Sequence, residues 1–131
     1  MKHRLVINDA IIILPGRISE KGYVVCEGGI IAQIGQGYFP ATESDEIINA
    51  GGLYVSPGFI DMHTHGAGGY DFMDGTVEAY LGAAKMHAKH GITSLLTTTL
   101  TSTNEELLKT FSIYKEKKKK NTEGASFLGL H

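Results

Sequence analysis

Two histidines one residue apart, His63 and His65, are the side chains here best suited to chemistry. Side chains of a β-strand alternate faces, so an H-x-H pair in a strand presents both imidazoles on one side and sends Thr64 to the other. Two imidazoles so placed form a bidentate site for Zn²⁺ or another divalent metal. A catalytic zinc takes three protein ligands and a water, so the rest of the set must come from elsewhere in the fold. A bare H-x-H is weak evidence, since two strand histidines with ordinary hydrogen bonds would look the same. Context strengthens it: Pro57-Gly58-Phe59-Ile60-Asp61 leads in, and Gly66, Gly68 and Gly69 follow. By alternation Asp61 shares the face of the histidines, where its carboxylate would orient a ligand from behind. A strand-end carboxylate with no such role is the competing reading.

The elements around the pair must hold it. Residues 59–64 read as a short strand that runs into the glycines. A helix is predicted over 74–90, with Val77, Tyr80, Leu81, Ala84 and Ala88 on one face, Asp74 as N-cap and Gly91 as the stop. Residues 92–99 are β-branched and read as a second strand. Ser102 with Glu105, and Thr103 with Glu106, have capping-box spacing, and Leu107, Leu108, Phe111 and Tyr114 supply the next helix face. Residues 125–130 form a third strand. Strand, helix, strand, helix, strand implies a parallel sheet, and the histidines would lie at the C-terminal end of its first strand, where such barrels place their active sites. Three strands cannot close a barrel of eight, so the sequence reads as cut short at His131, with an open sheet edge. Alone, the 131 residues are expected not to fold stably.

Residues 1–57 read differently, as short strands and turns: Leu5-Val6-Ile7, an Asn8-Asp9 turn, Ala10 to Leu14, Tyr23 to Glu27, a Gly28-Gly29 turn and Ile30 to Ile34, then Ile47-Ile48 and Leu53-Tyr54-Val55. This all-β region has few large residues for a core. Seventeen glycines, clustered at these turns and after His65, are about twice average usage.

The rest of the chain narrows the function classes. A net charge of -2 gives no reason to expect nucleic acid or an anionic membrane as partner. The run Lys115-Glu116-Lys117-Lys118-Lys119-Lys120 reads as a solvated helix end that complements the macrodipole. The single cysteine, Cys26, excludes an internal disulfide and reads as a small core residue. The basic start Met1-Lys2-His3-Arg4 has no clear cleavage site behind it, and no run approaches a membrane span, which makes the cytoplasm the expected compartment. Gly66, Gly68 and Gly69 precede a helix and could cradle a phosphate, but unusual backbone angles after the strand account for them better. His87 and His90 read as surface residues near a helix end.

Pro57-Gly58-Phe59-Ile60-Asp61-Met62-His63-Thr64-His65 resembles the signature of the metal-dependent amidohydrolase superfamily. The continuation Gly66-Ala67-Gly68-Gly69-Tyr70-Asp71-Phe72-Met73-Asp74-Gly75, with Gly91-Ile92-Thr93-Ser94, Thr97-Thr98-Thr99 and Gly129-Leu130-His131, is similar to the N-acetylglucosamine-6-phosphate deacetylase family. The resemblance covers the whole chain. It implies an α/β fold in which residues 1–57 are part of a small β-sandwich domain and residues 58–131 are the first βαβαβ portion of an incomplete (β/α)8 TIM-type barrel. It also implies hydrolysis of the acetamido group of an amino-sugar phosphate, giving glucosamine 6-phosphate and acetate. The metal would activate water and polarise the amide carbonyl, with an aspartate as general base and then acid.

Residue by residue, the resemblance carries over only His63 and His65, as paired metal ligands; zinc is the expected ion, with iron, manganese or cobalt as substitutes. The family's metal-binding glutamate would follow soon after His131, in a Leu-Glu-Gly-Pro stretch, and the catalytic aspartate and phosphate-binding groups later still. No catalytic residue is therefore expected within this chain, and by itself it should be inactive. The full-length family member implies a homodimer acting on a small amino-sugar phosphate, without nucleic acid or membrane. A cyclic-amide hydrolase shares the H-x-H strand, but Gly66-Ala67-Gly68-Gly69 stands where those enzymes carry a bulky or basic residue. A non-catalytic relic that keeps only the front of the fold is the alternative from outside the enzymes.

Overall fold

Apolar residues at alternate positions build the first sheet. A computed structural model describes residues 4–118 and 121–131, without the side chains of 117 and 118. The basic start Met1-Lys2-His3 and the end of the lysine run lie outside the described residues. The chain forms two compact units, Met1–Pro57 and Gly58–His131.

In the first unit, β1 (Arg4–Leu14) pairs antiparallel with β2 (Arg17–Glu27), which pairs with β3 (Ile30–Gln36) through the Gly28-Gly29 turn. The short strands β4 (Glu46–Asn49) and β5 (Tyr54–Val55) run parallel to β1 on its other side. The inward residues Ala10, Ile12 and Val24 bury together with Ala50, and Ile7, Leu14, Cys26 and Val55 pack around them. Cys26 is thus a half-buried packing residue rather than a fully buried one. The core is small, as the shortage of large residues implies.

The Asn8-Asp9 turn expected from the sequence is absent, and β1 runs through it with a bulge. Asp9 takes the left-handed conformation at φ 54, which Asp tolerates better than most residues. Asn8 is fully buried, and its amide is satisfied: it donates to the Phe39 carbonyl at 3.1 Å and accepts from the Phe39 N–H at 2.9 Å. A residue typical of turns is held inside a strand because its polar atoms find backbone partners.

In the second unit, β6 (Phe59–Thr64), β9 (Ile92–Thr97) and β10 (Ser126–Leu130) form a parallel sheet in the order β10-β9-β6. Helices α1 (Val77–Lys89) and α2 (Asn104–Lys118) connect them, and a small hairpin of β7 (Gly66–Ala67) and β8 (Tyr70–Asp71) follows β6. Leu95 of β9 and Phe127 of β10 meet Tyr80, Ala83 and Ala84 of α1, with Phe72 and Ala125 closing the core. Phe59, Ile60 and Met62 of β6 are 65%, 62% and 69% exposed, so this edge strand buries little of its apolar surface. No helix among the described residues is long and apolar enough to cross a membrane.

Helix α1 differs from its predicted limits and face. Asp74 is not its N-cap. Phe72–Asp74 forms a separate 3₁₀ turn, capped reciprocally by Asp71 and Asp74, and Gly75 ends it at φ 56. Thr76 then caps α1 by accepting from the Ala79 N–H. The buried face is Ala79, Tyr80, Ala83, Ala84 and His87, rather than one running through Val77, Leu81 and Ala88. Small residues decide this, because the chain before β10 approaches the helix closely. Ala125 N–H donates to the Ala84 carbonyl at 2.9 Å, and a Cβ on Gly124 would lie 2.7 Å from the Ala84 carbonyl carbon. In α2, Thr103 and Glu106 make the capping box, with Ser102 bonding the same carboxylate. Leu108, expected on the buried face, is 67% exposed, and Thr110 takes its place inside.

Candidate metal centre

The site begins with an irregularity in β6. Its register against β9 shifts between Asp61 and Thr64, where the Asp61 carboxylate accepts the His63 backbone N–H at 3.1 Å. Asp61 therefore shapes the main chain under His63. It acts on the strand rather than on an imidazole, which is not the ligand-orienting contact that simple alternation suggests.

Past this kink the two histidines come together. The His63 and His65 rings lie 5.2 Å apart, centroid to centroid, and nearly perpendicular at 81°. His63 is exposed and His65 half-buried. His65 Nδ1 is buried without a hydrogen-bond partner. An unpaired buried nitrogen is costly, and a donor or a metal at that position would remove the cost. The chemistry of the pair fits a borderline divalent ion such as zinc. Among the described residues no group of three His, Cys, Asp or Glu is arranged to hold a metal alone, so the pair would be part of a larger ligand set.

Thr64 faces away from the pair. Its hydroxyl lies 3.1 Å from the Gly66 carbonyl and 3.1 Å from Nε2 of His87 on α1. Its carbonyl accepts the Thr98 N–H at 2.8 Å, which ties the end of β6 to the end of β9. His87 is only 8% exposed, and its assignment to the surface is corrected: the helix rotates toward its small residues and carries His87 onto the strand end. His90 is exposed, as expected.

His131 joins the cluster from the far strand, with its ring 4.7 Å from that of His63. Backbone bonds from His131 N–H to the Thr97 carbonyl and from Thr99 N–H to the His131 carbonyl hold it there. Sequence reasoning passed over it as a site residue. Parallel strands bring their C-terminal ends to one edge, so a histidine directly after the third strand was a usable signal. Thr98 Oγ is a second buried polar atom at this edge without a partner, and no pattern in the sequence marks it.

The glycine loop after His65 is explained by its backbone. At Gly66 a Cβ would fall 2.0 Å from the Tyr70 carbonyl oxygen, so the β7–β8 hairpin closes only with glycine there. Gly68 and Gly69 turn the hairpin at φ 63 and 86.

The model of the amidohydrolase family matches residues 46–107. The N-acetylglucosamine-6-phosphate deacetylase of Bacillus subtilis is 28% identical over all of this chain, and that of Lysinibacillus sphaericus is 35% identical over 74% of it. The chain spans 34% and 24% of those two proteins. The crystal structure of the Pasteurella multocida N-acetylglucosamine-6-phosphate deacetylase superposes with a TM-score of 0.77 over 98% of this chain and 33% of that one. At 23% identity that likeness speaks for the fold.

Proposed function

From the similarity to the amidohydrolases over residues 46–107, we propose that the natural protein is a metal-dependent deacetylase that cleaves the acetamido group of N-acetylglucosamine 6-phosphate to acetate and glucosamine 6-phosphate. The observation that carries this reading is the His63–His65 pair at the end of β6, with a buried ring nitrogen that has no protein partner, in a chain similar along its whole length to such deacetylases. On this reading the three parallel strands open a (β/α)8 barrel, and the first unit is part of a β-sandwich. The compartment is the cytoplasm and the complete protein a homodimer.

His63 and His65 would hold the metal, for which zinc is the preferred ion, with the remaining ligands and the general base supplied by the rest of the protein. When bound, the metal supplies Lewis acidity toward an amide carbonyl and toward a water. The chain's own residues prepare the site. Asp61 fixes the peptide under His63, and the Thr98 N–H fixes the Thr64 carbonyl, so both imidazoles project from a braced strand end. His65 Nδ1 is shielded from water and has no hydrogen-bond partner within the protein.

The reading is tested by incubating the natural full-length protein with N-acetylglucosamine 6-phosphate and measuring acetate. Release by wild type, and its fall to background in His65→Ala, is the expected result. Wild type that releases acetate from neither this compound nor unphosphorylated N-acetylglucosamine contradicts the reading.

A further inference from the structure

We infer that His87 is a positioning residue for the metal-binding strand end, acting through Thr64; this rests on the metal reading above. Thr64 is the residue between the two histidines, so rotation of its backbone moves both imidazoles together. β6 has one sheet neighbour among the described residues, β9, and the ladder between them is irregular from Asp61 to Thr64. Strand pairing holds the Thr64 carbonyl through the Thr98 N–H at 2.8 Å but leaves Met62 and His63 unpaired with β9, and the Thr64 side chain is braced from the helix side. Thr64 and His87 are each 8% exposed and meet at 3.1 Å.

The proton count gives this contact a direction. A threonine hydroxyl has one proton, and the geometry places it toward the Gly66 carbonyl. The bonds to the Gly66 carbonyl and to His87 then exist together only in the tautomer that has its N–H at Nε2 of His87 and donates to the Thr64 oxygen, which also accepts the Gly66 N–H at 3.4 Å. Thr64 thus links a helix side chain to the first peptide of the glycine hairpin, and the ligand pair is suspended between them. Sites of this kind tolerate about 0.5 Å of slack before function suffers, which is why an anchor one residue from both ligands matters.

The test uses the natural full-length protein as wild type, His87→Leu, His87→Gln, Thr64→Val and the double variant H87L/T64V. Co²⁺ binding is followed by its visible spectrum, Zn²⁺ affinity by competition, and the metal-free Tm is measured alongside. The expected result is a loss of affinity of about 10–100-fold in H87L and in T64V, with a changed Co²⁺ spectrum. The double variant should lose no more than either single one, and His87→Gln, which keeps a donor near the Nε2 position, should recover most of the loss. Thr64→Val preserves shape, so it remains informative if H87L does not fold. Variants that lower the metal-free Tm but bind Co²⁺ with wild-type affinity and spectrum overturn the inference while leaving the metal reading intact. Wild type that takes up neither metal overturns the metal reading and this inference with it.

Discussion

His65 carries a cost that the proposed metal would turn to use. Its Nδ1 is buried without a partner, so the metal-free protein bears a desolvation penalty that an apolar side chain would not. His65→Leu should therefore cost little metal-free stability, and on the proposed reading Zn²⁺ should raise the Tm of wild type but not of the variant. Thermal melts with and without Zn²⁺ check this; an equal rise in the variant would show that the ion binds elsewhere. Tyr80 makes a second prediction at this scale. Its side chain is fully buried, and burial pushes its phenol up to about 12. A group raised in the folded state contributes stability below its unfolded value, ~10 for tyrosine, and that contribution is lost as pH rises through about 12. Tyr80→Phe should flatten that alkaline loss in pH-dependent melts, while costing about 1 kcal/mol at neutral pH for the bond to the Thr110 carbonyl. The histidine pair was legible in the sequence because strand alternation needs only local spacing. His87 was not, because it reaches the strand end through a tertiary contact that no spacing encodes, whereas His131 was marked only by its place directly after the third parallel strand.

Among the elements, the hairpin after β6 depends most on one residue. Gly66→Ala would drive a Cβ into the Tyr70 carbonyl, in backbone that cannot yield without opening the β7–β8 pair. A loss of more than about 2 kcal/mol is expected, in the range of severe single-site effects, and urea unfolding measures it. A loss within about 0.5 kcal/mol would mean that the hairpin is not held as described. The three parallel strands of the second unit were legible at this scale to within a residue or two, since β-branched runs and glycine stops are local signals, while the β7–β8 hairpin was read only as a glycine loop. The face of α1 was not. Its apolar pattern pointed to Val77, Tyr80, Leu81, Ala84 and Ala88, of which Tyr80 and Ala84 are buried, whereas the close approach of Gly124 and Ala125 turned the face toward Ala79, Ala83 and His87. The Asn8-Asp9 bulge escaped for a similar reason, since the Phe39 backbone that satisfies Asn8 lies 31 residues away.

At the scale of the whole molecule, each unit has its own dependence on pH. In the first unit Arg4 makes a two-pronged contact with Asp45, at 2.6 and 2.7 Å, and the Asp45 side chain is only 2% exposed. The Arg4 guanidinium, helped by the Thr42 N–H, holds the Asp45 carboxyl well below the usual carboxylate range. The stability it adds is present above the unfolded value near ~4 and is lost as pH falls through the lower folded value. Asp45→Asn should lower the Tm at pH 7, and the gap from wild type should begin to narrow below about pH 4 and shrink further as the pH falls. The expectation of a barrel and a sandwich rests only on the resemblance of short motifs, because three strands and two helices fit many α/β architectures. The claim on which the account turns is that His63 and His65 are metal ligands. The most direct test is the metal content of the natural full-length protein, purified without chelator, beside its His63→Ala/His65→Ala variant. Zinc or a related divalent ion bound stoichiometrically by wild type and lost from the variant is the predicted result. Equal metal content in the two proteins, or none in either, contradicts the account.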